Sequence, residues 1–480
     1  MLFRSAQAAL LPRYHGGARR WRGTRWNLAR EEGTSRSTRV PRAVAPPHAR
    51  GLSACLTVPD CACPLNAPSR PSLAHLARRS AALLIVVVVV PTQLHAQEAP
   101  LPGTFTEHVR WSGDPKRAFS VYRPSNPQRP RTPLLIVLDP SGQYNEILRE
   151  FAPAAEKLGW IVASAEDSRS DNGDETPTVE SATAIYNWAA TTLSLDSRRV
   201  YLTGMSGTAR ISWLIWRDYR ENVAGIIGAA AALPVPGVEQ MLAGDASVAV
   251  ALTSGLIDFN HAEVRALAAA VDSLGTPSRF GSHAGPHGWP PRDEIARTMT
   301  WLELRAMLGK RRSVDSTWVH ATFAATLARA DSLVADADLD HAEWMLRELA
   351  RDARGWPEGD TARARAAVLV ARPELVATRK ALGAQLAREL VQQEQILKVL
   401  AWEEMRLEPP SVDDLLDRLG APPLLKQARE TDVLRSQSAR RQLARLRGML
   451  GFYAPTLRER AGKPAHAARL REAGKQLVVP

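Results

Sequence analysis

Cysteine is scarce in this chain of 480 residues: only Cys55, Cys61 and Cys63 are present, all near the start. No disulfide can therefore link one part of residues 64–480 to another, and that long body must hold together by packing. The "CACP" stretch leaves one residue between its cysteines and no second ligand pair follows, which argues against zinc. Lysine is missing from residues 1–80, which carry fourteen arginines against three acids, Glu31, Glu32 and Asp60. That segment supplies +11 of the formal net charge of +12, leaving +1 for residues 81–480. A near-neutral body offers no footing for nucleic acid, whatever the overall basicity. Neither G-x-x-x-x-G-K-[ST] nor H-E-x-x-H occurs, so no nucleotide, metal or other cofactor is implied. Nor does any apolar run approach the ~20 residues needed to span a bilayer.

The longest apolar run, Ala81–Val90, follows Arg78 and Arg79 and is closed by Pro91; a small residue, Ala96, then precedes "QEAP". Basic start, short apolar middle and small-residue end make a secretory signal over 77–96. Cleavage after Ala96 would send the product to the periplasm or outside the cell. A signal opens a chain, yet 76 residues stand before this one. Residues 1–76 are rich in Arg, Pro, Ser and Ala and show no period of 2 or 3.6. They read as a mis-set start, with translation beginning near Leu73 or Leu76, or as a disordered basic tail.

From Phe105 the texture changes. "TFTEHVRW" and "RAFSVYRP" alternate in polarity around "SGDPK", the pattern of a β-hairpin. "PLLIVLD", "WIVASAE", "RVYLTG", "VAGIIGAAA" and "SVAVALTSG" are continuous apolar runs, as expected of strands buried on both faces. Helical patterns near 144–158, 178–193, 207–219, 261–274 and 292–309 separate or follow them, with "SRFGSH" as a final strand. Alternating strands and helices predict a mostly parallel sheet covered on both sides, an α/β domain over 100–309. Beyond the polar break "GKRRSVDS", strand signals vanish, and helices are expected at 315–336, 338–352, 361–370, 373–407, 411–420 and 424–450. Residues 314–480 therefore form an all-α domain. Its stretch "ADSLVADADLDHAEWMLRELARD" resembles one degenerate tetratricopeptide unit, a helical hairpin suited to a protein partner.

The chemistry centres on "YLTGMSGTARISW", where Ser206 follows a β-rich run and precedes a helical one. A tight strand-to-helix turn lifts the serine to the carboxyl edge of the sheet, beside free N–H groups of the new helix. A serine hydroxyl needs a base to take its proton, and the base needs an acid to orient it. Asp258 follows the "SVAVALTSG" strand, and His287 stands further on in the Gly- and Pro-rich loop "SHAGPHGWPP". The order nucleophile, acid, histidine is that of one hydrolase class. His283, at the end of a strand, is the competing base, and His261 follows Asp258 too closely to serve. The N-cap of the helix near His261 is the structural alternative for Asp258. The developing oxyanion needs two N–H donors: the amide of Gly207, and one from the "DPSGQ" loop, Ser141 or Gly142. Arg169, in the polar loop "EDSRSDNGDET", could meet an acidic substrate group or, as such a loop favours, simply face solvent, and Trp289 could line a substrate pocket or pack beneath its loop. Trp213, Trp216, Trp301 and Trp318 read as core.

"LLIVLDPSGQ", "RRVYLTGMSGTAR", "GLIDFN" and "GPHGWPP" together resemble the α/β-hydrolase superfamily, and within it the bacterial secreted esterases of the polyhydroxybutyrate-depolymerase and feruloyl-esterase-like group. The resemblance implies an αβα sandwich and a Ser206–Asp258–His287 hydrolase of small-molecule or polymer esters. The common elbow G-x-S-x-G ends here in Thr208 rather than glycine, and a β-branched residue there is expected to tilt the elbow and weaken activity. A serine exopeptidase on the same fold, or a binding or scaffold protein that has lost activity, are the alternatives.

Overall fold

In the computed structural model, residues 99–170, 174–243 and 247–478 are described. The proposed signal at 77–96 and the segment before it lie outside them.

The first strands form the expected hairpin, β1 (Thr104–Trp111) against β2 (Asp114–Arg123). There follow β3 (Thr132–Leu138), α1 (Tyr144–Leu158), β4 (Ile161–Ala165), α2 (Thr176–Thr192), β5 (Leu195–Met205) and α3 (Gly207–Asp218). The series continues with β6 (Gly225–Ala229), α4 (Val235–Leu242), β7 (Ala249–Gly255), α5 (His261–Ser273), β8 (Ser278–His283) and α6 (Arg292–Leu308). Helix α4 escaped the sequence reading. Its eight residues open with Val-Pro-Gly, which hides a helical period although proline is well placed in a first turn.

One sheet of eight strands has the order β1-β2-β4-β3-β5-β6-β7-β8, with β2 antiparallel to its neighbours and β3 to β8 parallel. This is an αβα sandwich around a mostly parallel sheet. Every residue of β3, β4, β6 and β7 is buried, which explains their unbroken apolar runs. The strand period of two divides β3 between two cores. Leu134, Ile136 and Leu138 face α2, α3 and α5, whereas Leu135 and Val137 face α1 and α6.

The second core runs on without a break into the helical region. Val319 and Phe323 of α7 (Ser316–Ala335), Leu346 and Leu349 of α8 (Leu339–Asp352) and Ala362 of α9 (Pro357–Val370) belong to it. Helix α8 also covers β8, the last strand of the sheet. Glu348 accepts the Phe280 amide at 2.8 Å, and Arg351 donates to the Ser278 carbonyl at 2.6 Å. Backbone groups that would otherwise lie open on an edge strand are thereby satisfied.

A third core belongs to the remaining helices: α10 (Pro373–Glu404), α11 (Val412–Arg418), α12 (Ala421–Gln427), α13 (Val433–Gly448), α14 (Ala454–Arg460) and α15 (Pro464–Gln476). The continuous helix expected over 424–450 is two, because Asp432 caps a new start by accepting the Arg435 amide at 3.0 Å. A π-turn at Met449–Tyr453 joins α13 to α14. The last two helices lie beyond the expected set, their periodicity blurred by the basic runs around them.

Candidate active site

Ser206 stands between β5 and α3 with φ 55° and ψ −124°, a left-handed φ that a serine rarely adopts. Such strain persists only where the surroundings over-determine it. Three contacts do so here. The Ser206 amide donates to the Ala229 carbonyl at the end of β6, 2.9 Å away. At Gly204, a Cβ would lie 2.4 Å from the Thr208 carbonyl, so only glycine lets the turn fold back this tightly. Thr208, fully buried, sets its hydroxyl 2.5 Å from the Leu138 carbonyl, and the same Oγ1 accepts the Met205 amide at 3.1 Å. Thr208 thus does more than add bulk at the elbow: its hydroxyl fastens the turn to the end of β3.

Asp258 lies three residues past β7 with no exposed surface. It does not cap α5, where Asn260 holds the cap position; instead its Oδ1 accepts the Asn260 amide at 2.7 Å. Asn260 in turn donates from Nδ2 to the Ala230 carbonyl at 2.9 Å, linking the loop after β7 to the loop after β6. Asn260 is a structural partner that the sequence did not single out.

His287 lies between the two groups. Its Nδ1 is 2.9 Å from Asp258 Oδ1, and its Nε2 is 3.0 Å from Ser206 Oγ. The tautomer with hydrogen on Nδ1 satisfies both contacts: Nδ1–H donates to the carboxylate, and Nε2 accepts from the serine hydroxyl. The Phe259 ring stacks on the imidazole, with centroids 4.1 Å apart and planes at 26°. The imidazole side chain keeps 20% of its surface open, whereas Asp258 keeps none. Ser206 itself is half-buried.

Neither competing histidine is hydrogen-bonded to Ser206. His283 ends β8, where burial pushes its pKa below the ordinary value. His261 contacts Ser254 Oγ at 3.0 Å, and burial lowers its pKa to about 3. A second Ser–His–Asp grouping, Ser282, His341 and Asp338, lies against β8. There both ring nitrogens face the serine, which sits within a strand and precedes no helix, while Asp338 caps α8. That grouping lacks the turn that would present a nucleophile.

Gly207 opens α3, so its amide has no intrahelical acceptor. In the loop after β3, buried Asp139 accepts the amides of Ser141 and Gln143 on one oxygen, at 2.8 and 2.9 Å. The Ser141 amide is therefore occupied, which removes it as an oxyanion donor. Gly142, with φ 74°, lies between the two tied residues. Arg169 reaches over this loop and donates to the Ser141 carbonyl at 2.5 Å. Trp289 donates from its indole to the other Asp139 oxygen at 2.8 Å and meets Phe151 edge-on, with centroids 5.7 Å apart. Of the two readings of Trp289, packing beneath its loop is the one its contacts fit. It ties the histidine loop to the loop after β3.

No protein-family model matches the sequence, and no curated protein matches it. Solved structures with a similar course include a fluorophosphonate-binding serine hydrolase, FphF, of Staphylococcus aureus, 13% identical, covering 42% of this chain and 98% of that one with a TM-score of 0.35. A ferulic acid esterase gives the same identity, coverage and score. Esterase B of Lactobacillus rhamnosis is 15% identical over 45% of this chain and 93% of its own, with a TM-score of 0.34.

Proposed function

We propose that the protein is a serine hydrolase of carboxylic esters. The observation that carries this reading is the hydrogen-bonded line Ser206–His287–Asp258, with the serine on a strained turn at a helix N-terminus. Ser206 Oγ attacks the ester carbonyl carbon as its proton passes to His287 Nε2. Asp258, bonded to Nδ1–H, keeps that nitrogen turned away from the serine and favours the imidazolium that forms. The carbonyl oxygen takes up negative charge between the Gly207 amide and, on this reading, the Gly142 amide, aided by the N-terminus of α3. Collapse of the tetrahedral species expels the alcohol, which receives the proton from His287. Water, activated by the same imidazole, then frees the acid and restores the serine. On this reading Arg169, which lies over the Ser141–Gly142 loop, would meet an acidic group on the substrate. On the reading of residues 77–96 as a secretory signal, the activity lies outside the cytoplasm, and a native N-terminus at Gln97 is the mass-spectrometric result that this reading predicts.

A fluorophosphonate probe tests the reading. It forms a covalent adduct on the peptide bearing Ser206 in the wild type and none in Ser206→Ala. Absence of labelling in the wild type, or labelling retained in Ser206→Ala, refutes the assignment.

A further inference from the structure

We propose that α13 of the helical region is part of the catalytic unit, with Arg441 and Arg445 acting as positioning residues for the acid and the base. The inference rests on the serine-hydrolase reading above and deepens it.

The loop from Gly255 to Asn260 carries Asp258 and Phe259, and one side of it is bound to the histidine loop. The Leu256 amide donates to the His283 carbonyl at 2.8 Å, and the Ile257 amide to the Gly285 carbonyl at 3.2 Å. The carbonyls of Leu256 and Phe259 meet α13. Arg441 Nη1 donates to Leu256 O at 2.7 Å, and Arg445 Nη2 to Phe259 O at 2.5 Å. Residues four apart share one helix face, so a single face of α13 holds two carbonyls three residues apart, on either side of Asp258. The grip reaches the base as well. The Arg445 guanidinium lies over the Phe259 ring, 5.7 Å from its centroid, and that ring stacks on His287.

Both arginines are anchored. Arg441 is 3% exposed and directs Nε and Nη2 to Glu389 of α10, itself 3% exposed. Arg445 is half-buried, and Asp258, Glu263 and Glu389 lie within reach of its charge. Placing two guanidinium groups here costs desolvation that a merely packed interface would avoid. What they obtain is a fixed position for the triad's acid, which catalysis uses and folding of the sheet does not require. The helical region thus completes an acid loop that the α/β region leaves open on one side.

The test uses the full chain and p-nitrophenyl butyrate. Arg445→Met removes the donor while keeping an apolar stem. Glu389→Met/Arg441→Met removes the second grip without leaving a buried charge unpaired. Each is expected to lower kcat by about 10- to 100-fold, the cost of a small misplacement near the reacting groups, with KM within about 2-fold. Fluorophosphonate labelling of Ser206 should slow in parallel, and Arg445→Lys should recover most of the rate because a donor to Phe259 O is restored. Wild-type kcat in both variants overturns the proposal, as does a loss that lysine does not recover and that follows the unfolded fraction in a thermal melt. A wild type that neither hydrolyses the ester nor takes the probe overturns the hydrolase reading and the proposal together, and so is distinguished from failure of the brace alone.

Discussion

Around the sheet, the side chains removed from water are chiefly valine, leucine, isoleucine and alanine, and the buried charges collect at its two ends. Asp139 and Asp258 lie at the carboxyl end; Asp196, Arg199 and Glu303 lie near the start of β5. Around α10 to α15 the buried charges sit between the helices themselves. Glu403, 1% exposed, meets both Arg458 and His466, and Glu389 meets Arg441. The first region is secured by non-directional burial, which tolerates small shifts; the second adds to its apolar core a set of paired buried charges, which tolerate the loss of neither partner. A sheet region of this kind can present strained chemistry at one rim. The helical region, with its directional contacts, is suited to holding a particular loop in a particular place.

Removing one member of a buried pair gives the largest expected change in stability. Arg458→Met leaves buried Glu403 with His466 alone and should lower unfolding stability by about 3–5 kcal/mol, whereas replacing Arg458, Glu403 and His466 together by apolar residues should cost far less. Chemical denaturation of both variants checks this, and equal losses would erase the contrast between the regions. A pH effect of intermediate size is expected where the two regions meet. Glu348 lies in full burial against the Phe280 amide and the Trp344 indole, and burial raises its pKa to about 7 despite Arg279 and Arg351 nearby. Between about pH 4.5 and 7 the unfolded chain has released this proton and the folded chain retains it, so folding stability falls as pH rises through that window. Relative to Glu348→Gln, the wild type should lose about 2–3 kcal/mol between pH 5 and pH 8. Urea midpoints at the two pH values measure it, and parallel losses in both proteins would refute the assignment. The smallest effect concerns backbone strain. Ser206→Gly should abolish esterase activity yet raise stability by about 1 kcal/mol, because glycine adopts φ 55° without penalty. A thermal melt reads the gain, and a loss would show that the turn is not strained.

The two regions also differed in how far they could be read in the sequence. Strands such as "PLLIVLD" announce themselves because a strand buried on both faces permits no polar alternation. The order Ser206, Asp258, His287 was legible because chain order and strand ends are properties of sequence. The anchoring role of the Thr208 hydroxyl was not legible because its backbone neighbours, Leu138 O and Met205 N, come together only after folding. Arg441 and Arg445 stood unnoticed in "SARRQLARLRG", where a buried arginine and a solvated one look alike. Helices that bury charge show no clean apolar face, so the breaks at 428–432 and 449–453 and the last two helices were equally hidden.

Acid-quenched turnover of p-nitrophenyl acetate addresses the central claim most directly. The account predicts a burst of about one nitrophenolate per chain under conditions where deacylation is slower than acylation, with an acetyl group recovered on the peptide that carries Ser206. Turnover without any acetyl on that peptide, or an acetyl group found on a different side chain and lost only when that residue is changed, would contradict it.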